Sequence, residues 1–227
     1  VRTASVVVPI WGDPALTDQC LTELTRTSPE ARVIVVDNTN SYVVPDGARC
    51  DLFPQSVNIG CAPAKALGAS HADTDIVIFM DCDAYPHDGW LSPLLDVFDD
   101  ETVGMAGPRI LNRDGSIQTA CIRTWHGIGH AGGENRSDEH LANTEELGAT
   151  GAAMAVRRTA LLQCPIDIAF QRTYDDVDLS LQFLEAGWKI AYVPQSNVTH
   201  GSVSTGPERW ENVHGYIALM NQKWGSR

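Results

Sequence analysis

An apolar run, Ile76-Val77-Ile78-Phe79-Met80, ends on two carboxylates in Asp81-Cys82-Asp83. In an extended backbone residues i and i+2 project to the same side, so Asp81 and Asp83 can converge on one hard cation. Ligands gather beyond the carboxyl ends of strands in an open α/β sheet. A cation held there could bind a diphosphate and neutralise charge building on a leaving group. A second acidic group, Tyr174-Asp175-Asp176-Val177-Asp178-Leu179, opens an apolar-periodic segment, where acids suit the positive end of a helix dipole. A third feature is His200, in Val198-Thr199-His200-Gly201-Ser202, after a strand and before a Gly/Ser-rich stretch. Taken singly, each has a plainer reading: a solvated strand end, ordinary helix N-terminal acids, and a histidine closing a strand.

The elements that must position these groups follow from periodicity. Ser5–Ile10 reads as a buried strand, and Asp13 as an N-cap with Pro14 at the first helical position. That helix runs to about Thr27 and buries Leu16, Cys20, Leu21 and Leu24. Strands are expected over Arg32–Val36, Arg49–Phe53 and Asp75–Met80, with a helix across Ala62–His71 led by Asn58. Strand and helix alternating at this spacing argue for an α/β fold with a largely parallel sheet flanked by helices. In the second half, helices are expected over Gly89–Phe98, Thr173–Ala186 and Glu208–Trp224. Strands are expected over Val103–Gly107, Ser116–Arg123, Ala152–Val156, Lys189–Val193 and Asn197–Thr199. Thr124–Thr144 is rich in Gly, His and charge, and a long irregular stretch of that kind is a candidate functional loop.

Composition narrows the function classes. A chain of 227 residues with 43% hydrophobic content can bury a full core, and one domain over 1–227 is expected. Its 16 basic and 29 acidic residues give a net charge of −13, which disfavours non-specific binding to nucleic acid or anionic lipid. No apolar run approaches the roughly 20 residues needed to span a bilayer, and on this reading no signal peptide is expected. The six cysteines lack Cys-x-x-Cys spacing and read as reduced thiols, so a cytoplasmic location is expected. On that reading the sequons at Asn135 and Asn197 are accidental. His126, His130 and His140, with Cys121, show no two-plus-two zinc pattern. Trp210, Val213, Ile217, Met220 and Trp224 form a helical stripe, a face for docking on the core or on a partner subunit.

The ordered set Val7-Val8-Pro9, Val35-Val36-Asp37-Asn38, Asn58-Ile59-Gly60, Asp81-Cys82-Asp83 and Tyr174-Asp175-Asp176-Val177-Asp178-Leu179 resembles the family 2 glycosyltransferases of GT-A fold, over about residues 5 to 205. The resemblance implies a Rossmann-like, mostly parallel sheet, with a nucleotide-sugar-binding half (1–108) and an acceptor half (109–227). It implies transfer of one sugar from a nucleoside-diphosphate sugar to an acceptor hydroxyl, with inversion. Pro9, Ile10 and Trp11 would line the base pocket. Asp37 would bind base or ribose, as a carboxylate accepts bonds from ribose hydroxyls and base N–H groups. Asn58, Gly60 and Lys65 would edge the nucleotide site, Lys65 standing where a polar amide is frequent. Asp83 would ligate Mn²⁺ or Mg²⁺ on the diphosphate, with Asp81 nearer the ribose or a metal-bound water and Cys82 between them on the donor side. His200 would complete the metal site, and its imidazole favours Mn²⁺.

The family motif around the base is usually Glu-Asp-x-Asp, and its second acid takes the acceptor's proton; here that residue is Asp176. Asp175 replaces the Glu, and Gln182 stands where Arg is frequent. Asp178 is expected to be a structural cap or loop anchor. Trp125, Gly151 and Asp175 would face the acceptor, with Trp125, His126 and His130 in a loop closing over it. Gly206 stands where the Gln-x-x-Arg-Trp of processive synthases would begin, which favours transfer of a single sugar. Two other readings compete. A haloacid-dehalogenase-like phosphotransferase also carries a strand followed by Asp-x-Asp, but there the motif normally ends the first strand, whereas two nucleotide-type strands precede it here. A sugar-nucleotide-binding protein without catalysis is opposed by the intact Asp83 and Asp176.

Overall fold

The computed structural model describes residues 2–122, 130–131, 148–201 and 211–225. The chain begins with β1 (Ala4–Ile10), α1 (Pro14–Thr27), β2 (Arg32–Asp37), β3 (Asp51–Pro54), α2 (Cys61–Ser70) and β4 (Ile76–Met80). It continues through β5 (Ala84–Pro86), α3 (Leu91–Asp96) with a closing 3₁₀ turn (Val97–Asp99), β6 (Val103–Leu111), β7 (Ile117–Thr119), β8 (Cys121–Ile122) and β9 (His130–Ala131). The last elements are β10 (Ala153–Arg157), α4 (Arg158–Gln163), α5 (Asp175–Glu185), β11 (Lys189–His200) and α6 (Val213–Trp224).

Among the described residues nine strands share one sheet in the order β3-β2-β1-β4-β10-β6-β11-β5, with β7 added on β6. The expected parallel arrangement holds across β3, β2, β1 and β4. Beyond β4 the sheet is mixed. β10 runs antiparallel to both β4 and β6, β11 is parallel to β6, and β5 is antiparallel to β11. The reversed β10 matters for the site, because it carries Gly151 and Ala152 alongside the end of β4, where the Asp81 N–H donates to the Ala152 carbonyl at 3.0 Å.

Strands covered on both faces read as continuous apolar runs, and Val6, Val7 and Val8 are all fully buried. Val6 and Val8 join α1 (Leu21, Leu24) in one core cluster, while Val7 joins Phe79, Leu179 and Phe183 in a second on the opposite face. Helix α1 starts as expected, with Asp13 Oδ1 accepting the Ala15 N–H at 3.0 Å and Pro14 in the first turn. Helix α2 approaches the sheet at Gly68, where a β-carbon would lie 2.3 Å from Val7 Cγ1, so only glycine fits.

Several boundaries differ from the sequence reading. Ser116–Arg123 is not one strand: β7 pairs with β6 and β8 pairs with β9, and Arg123 lies outside the described residues. Lys189–Val193 and Asn197–Thr199 are parts of one strand, whose register on β6 shifts between Val193 and Asn197, around Pro194. The cap position of α2 is Gly60, not Asn58. The C-terminal stripe is Tyr216, Met220 and Trp224, which cluster with Ile122, Phe170, Val177 and Leu181 of the same chain; Trp210 lies outside the described residues. All six cysteines are thiols. No helix among the described residues is long and apolar enough to cross a membrane.

Candidate active site

The two carboxylates leave β4 on a tight turn, closed by the Ala84 N–H donating to the Asp81 carbonyl at 3.0 Å. Asp83 is fully buried, and its carbonyl accepts the Gly201 N–H at 2.8 Å, so the strand pair β5–β11 delivers His200 to the same place. His200 Nε2 lies 3.3 Å from Asp83 Oδ1 and 3.6 Å from Asp81 Oδ2. One ligand atom from each of these three residues falls within 4.8 Å of the others. Two carboxylates and one imidazole suit a divalent cation of the Mn²⁺ type, for which oxygen ligands with some nitrogen are acceptable. His200 Nδ1 is 2.8 Å from Gln118 Oε1, and Gln118 Nε2 donates to Asn112 Oδ1 at 2.9 Å. That chain makes Nδ1 the protonated nitrogen and turns the Nε2 lone pair toward the two carboxylates. Cys82 also lines the cavity onto which this cluster opens: it is buried, its thiol lies 4.0 Å from the Trp11 carbonyl, and burial beside Asp83 pushes it up to about 11.

The cluster opens on a cavity of about 370 Å³. At one end stand Pro9, Ile10, Trp11, Asn38, Asn58 and Gly60. Asp37, expected to bind base or ribose, is not among the residues lining the cavity. It is buried, Oδ1 accepts the Thr39 N–H and hydroxyl at 2.7 and 2.6 Å, and Oδ2 accepts the Tyr42 N–H at 3.1 Å. Both oxygens therefore hold the turn after β2, and Asn38, whose Oδ1 accepts the Ile59 N–H at 3.1 Å, lines the cavity instead. Asn58 Oδ1 accepts the Gly60 N–H at 2.9 Å and closes the turn that leads into α2. Gly60 sits at φ +93°, and a β-carbon there would fall 2.7 Å from the Gln171 carbonyl, so both conformation and space require glycine.

The other end is built by the start of α5 and the segment before β10, with Thr150, Gly151, Thr173, Tyr174, Asp175 and Asp176 on the wall. Asp176 Oδ2 accepts the Gly151 N–H at 2.8 Å, and Oδ1 accepts the Val177 N–H at 2.9 Å. Each oxygen keeps a lone pair, and the helix N-terminus stabilises the charge. Tyr174, just ahead of the helix, is a non-glycine residue in the left-handed region at φ 69°, a conformation found where a site constrains the chain. Asp175, expected to face the acceptor, and Lys65, expected to edge the nucleotide site, meet each other. Lys65 Nζ donates to Asp175 Oδ2 at 2.7 Å, with side chains only 2% and 8% exposed. Burial is the largest single influence and pushes the Lys65 ammonium down, but Asp175, Cys61, Asp81 and Asp176 together outweigh it and hold the group well above the usual lysine range.

Asp178 serves as an anchor. It is fully buried and accepts from Trp224 Nε1 at 2.8 Å, Lys223 Nζ at 3.0 Å and Gln182 Nε2 at 2.7 Å, tying α6 to α5. Gln118 and Arg172, both on the cavity, carried no motif signal in the sequence. Trp125, His126 and His140 lie outside the described residues.

A continuous parallel half, a carboxylate pair at the end of β4 and an acidic helix start across one cavity define the class, and comparison with known proteins agrees. The model of the glycosyl transferase family 2 matches residues 5–163, and the chain belongs to that family. It is 30% identical over 208 residues to the pre-mycofactocin glycosyltransferase of Mycobacterium tuberculosis, covering 88% of this chain and 43% of that protein. The chain thus spans under half the length of the curated relatives it matches. Among solved structures it resembles GalNAc-T7 with UDP, GalNAc and Mn²⁺ (TM-score 0.70, 16% identity, 97% of this chain and 48% of that one). It also resembles the Pyrobaculum calidifontis mannosyltransferase PcManGT with GDP-Man and Mn²⁺ (TM-score 0.67, 17% identity, 96% of this chain and 62% of that one). At such identities the two likenesses speak for the fold. Family membership removes the phosphotransferase alternative.

Proposed function

We propose that this chain moves a single sugar from a nucleoside-diphosphate sugar to an acceptor hydroxyl, with inversion at the anomeric carbon and Asp176 as general base. The observation that carries the reading is that Asp81, Asp83 and His200 line the same cavity as Asp176. A divalent cation bound by the first three would supply charge neutralisation for a departing diphosphate. Mn²⁺ fits the mixed donor set better than Mg²⁺. Residues 1–108 then provide the donor half, with Pro9, Ile10, Trp11 and Asn38 around the base. Residues 109–227 provide the acceptor half, where Gly151 holds Asp176 against the cavity wall. A base on one side and a held leaving group on the other permit a single in-line displacement, which inverts the centre. The acceptor oxygen's proton passes to an Asp176 oxygen as the new bond forms.

The test is a panel of sugar nucleotides with Mn²⁺, following release of nucleoside diphosphate and the anomeric configuration of the product by NMR. Release from one donor with inverted product is expected. Retained configuration would overturn the assigned mechanism. Nucleotide binding with no turnover under any acceptor would leave a sugar-nucleotide-binding protein.

A further inference from the structure

We propose that Lys65 is a positioning residue for the transfer step, holding Asp176 in its productive place by clamping the start of α5 to the donor half; this rests on the reading of Asp176 as base. Lys65 is among the largest fully buried side chains of the molecule, an unusual place for an ammonium. It projects from α2 and bonds Asp175 at 2.7 Å, across 110 residues of chain. The groups whose charge it feels are Asp175, Cys61, Asp81 and Asp176, so it stands among the carboxylates of both halves of the cavity. A β-carbon built on Gly151 would lie 3.0 Å from Lys65 Nζ and 3.4 Å from Asp176 Oδ2. The ammonium and the base carboxylate therefore flank one α-carbon, whose own N–H holds Asp176.

A second brace joins the same two segments. The Cys61 and Ala62 N–H groups at the start of α2 both donate to the Gln171 carbonyl, at 2.6 and 3.3 Å. Between Gln171 and Asp176 the chain passes through Tyr174 in the left-handed region. Such a conformation persists only where its surroundings hold both ends. The Gln171 brace holds one end, and Lys65–Asp175 holds the other. With the ammonium gone, the buried Asp175 carboxylate would lose its counter-charge and turn toward water, taking the first turn of α5 with it.

The test uses Lys65→Met, with Lys65→Arg as the conservative variant. The double variant Lys65→Met/Asp175→Leu supplies a folded protein if the single one fails, since an apolar pair can replace a buried ion pair. UDP and GDP, each with Mn²⁺, are titrated calorimetrically to count nucleotide-competent sites, and turnover per competent site is measured with the donor panel. The expected result is nucleotide affinity within about threefold of the parent, with turnover per competent site lower by about 10–100-fold and partly restored in Lys65→Arg. A purely structural lysine would lower the number of competent sites and leave turnover per site unchanged, and that result overturns the proposal. So does loss of nucleotide affinity in step with turnover. A substrate-free arm follows amide exchange at Gly151, expected to quicken at least about tenfold in the folded variant; unchanged protection overturns the proposal. Should the parent chain turn over no donor at all, the function reading fails while the Gly151 exchange still decides the role of Lys65.

Discussion

Gln118 Oε1 faces His200 Nδ1 at 2.8 Å and so fixes which imidazole nitrogen looks toward Asp81 and Asp83. Replacing it with Leu frees the ring to rotate and removes the acceptor that selects the tautomer. Gln118→Leu is expected to weaken Mn²⁺ binding by about 10–100-fold, while Gln118→Glu keeps the acceptor and stays close to the parent. Mn²⁺ titration followed by electron paramagnetic resonance reads this without any substrate. Equal affinities for the parent and Gln118→Leu would remove Gln118 from the metal site.

Asp83→Asn should abolish Mn²⁺ binding and reduce nucleoside diphosphate release by at least about 10²-fold, with the fold intact. The parent in excess chelator should behave the same way. A variant that turns over at the parent rate in chelator would end the metal assignment.

Asp176→Asn keeps the bond from the Gly151 N–H but cannot take a proton. Nucleotide affinity should change little while transfer falls by about 10²–10⁴-fold. If nucleotide affinity drops as far as transfer, Asp176 belongs with the donor instead.

The anchor at Asp178 makes a stability prediction. Asp178→Ala removes the buried acceptor of the Trp224 indole N–H and leaves Lys223 with Asp167 in place of two carboxylates, and is expected to cost about 2–4 kcal/mol in urea unfolding. A loss below about 0.5 kcal/mol would mean that the stripe Tyr216, Met220 and Trp224 holds α6 unaided.

Buried thiols set an alkaline limit. Burial pushes Cys20 well above its usual value and Cys82 up to about 11, from 9.0, with nearby Asp83 adding to both. The folded state then binds more protons than the unfolded one between pH 9.0 and about 11, so this contribution is complete below 9 and lost as pH rises through that window. Cys82→Ser should flatten the fall in urea midpoint between pH 8.5 and about 10.5. An identical slope in the variant would assign the fall to other groups.

Much of the first half was legible because β1, β2 and β4 are buried on both faces and leave unmistakable apolar runs. Asp13-Pro14 marked the start of α1, and Met80-Asp81-Cys82-Asp83 marked the end of β4. The site was legible where one motif occupies one turn. It was not where partners are distant in sequence, as with Lys65 and Asp175, or where a residue such as Gln118 acts only through another side chain. Lys65 and Asp175 are the two positions where the resemblance implies an amide and a Glu. Their pairing in space makes them one local solution: the shorter acid is met by a longer base. Asp37 has a type that suits a ribose, and its bonds to the backbone amides of Thr39 and Tyr42 could not be read from the motif. The continuous β11 was hidden by Pro194, which suggested a break where the strand shifts register.

The carbonyl of Gln171 at the start of α2 has a consequence for nucleotide recognition. In many α/β folds the open amino end of a helix is where phosphate oxygens settle, drawn by unsatisfied amides and the dipole behind them. Here the Cys61 and Ala62 amides are already saturated by the protein's own oxygen, 2.6 and 3.3 Å away. That seat is plugged from within. A pyrophosphate entering the cavity therefore finds the Cys61 and Ala62 amides of α2 already occupied. On a chain with a net charge of −13, its negative charge then falls to whatever the two aspartates and His200 can gather and to the Lys65 and Arg172 side chains on the cavity wall.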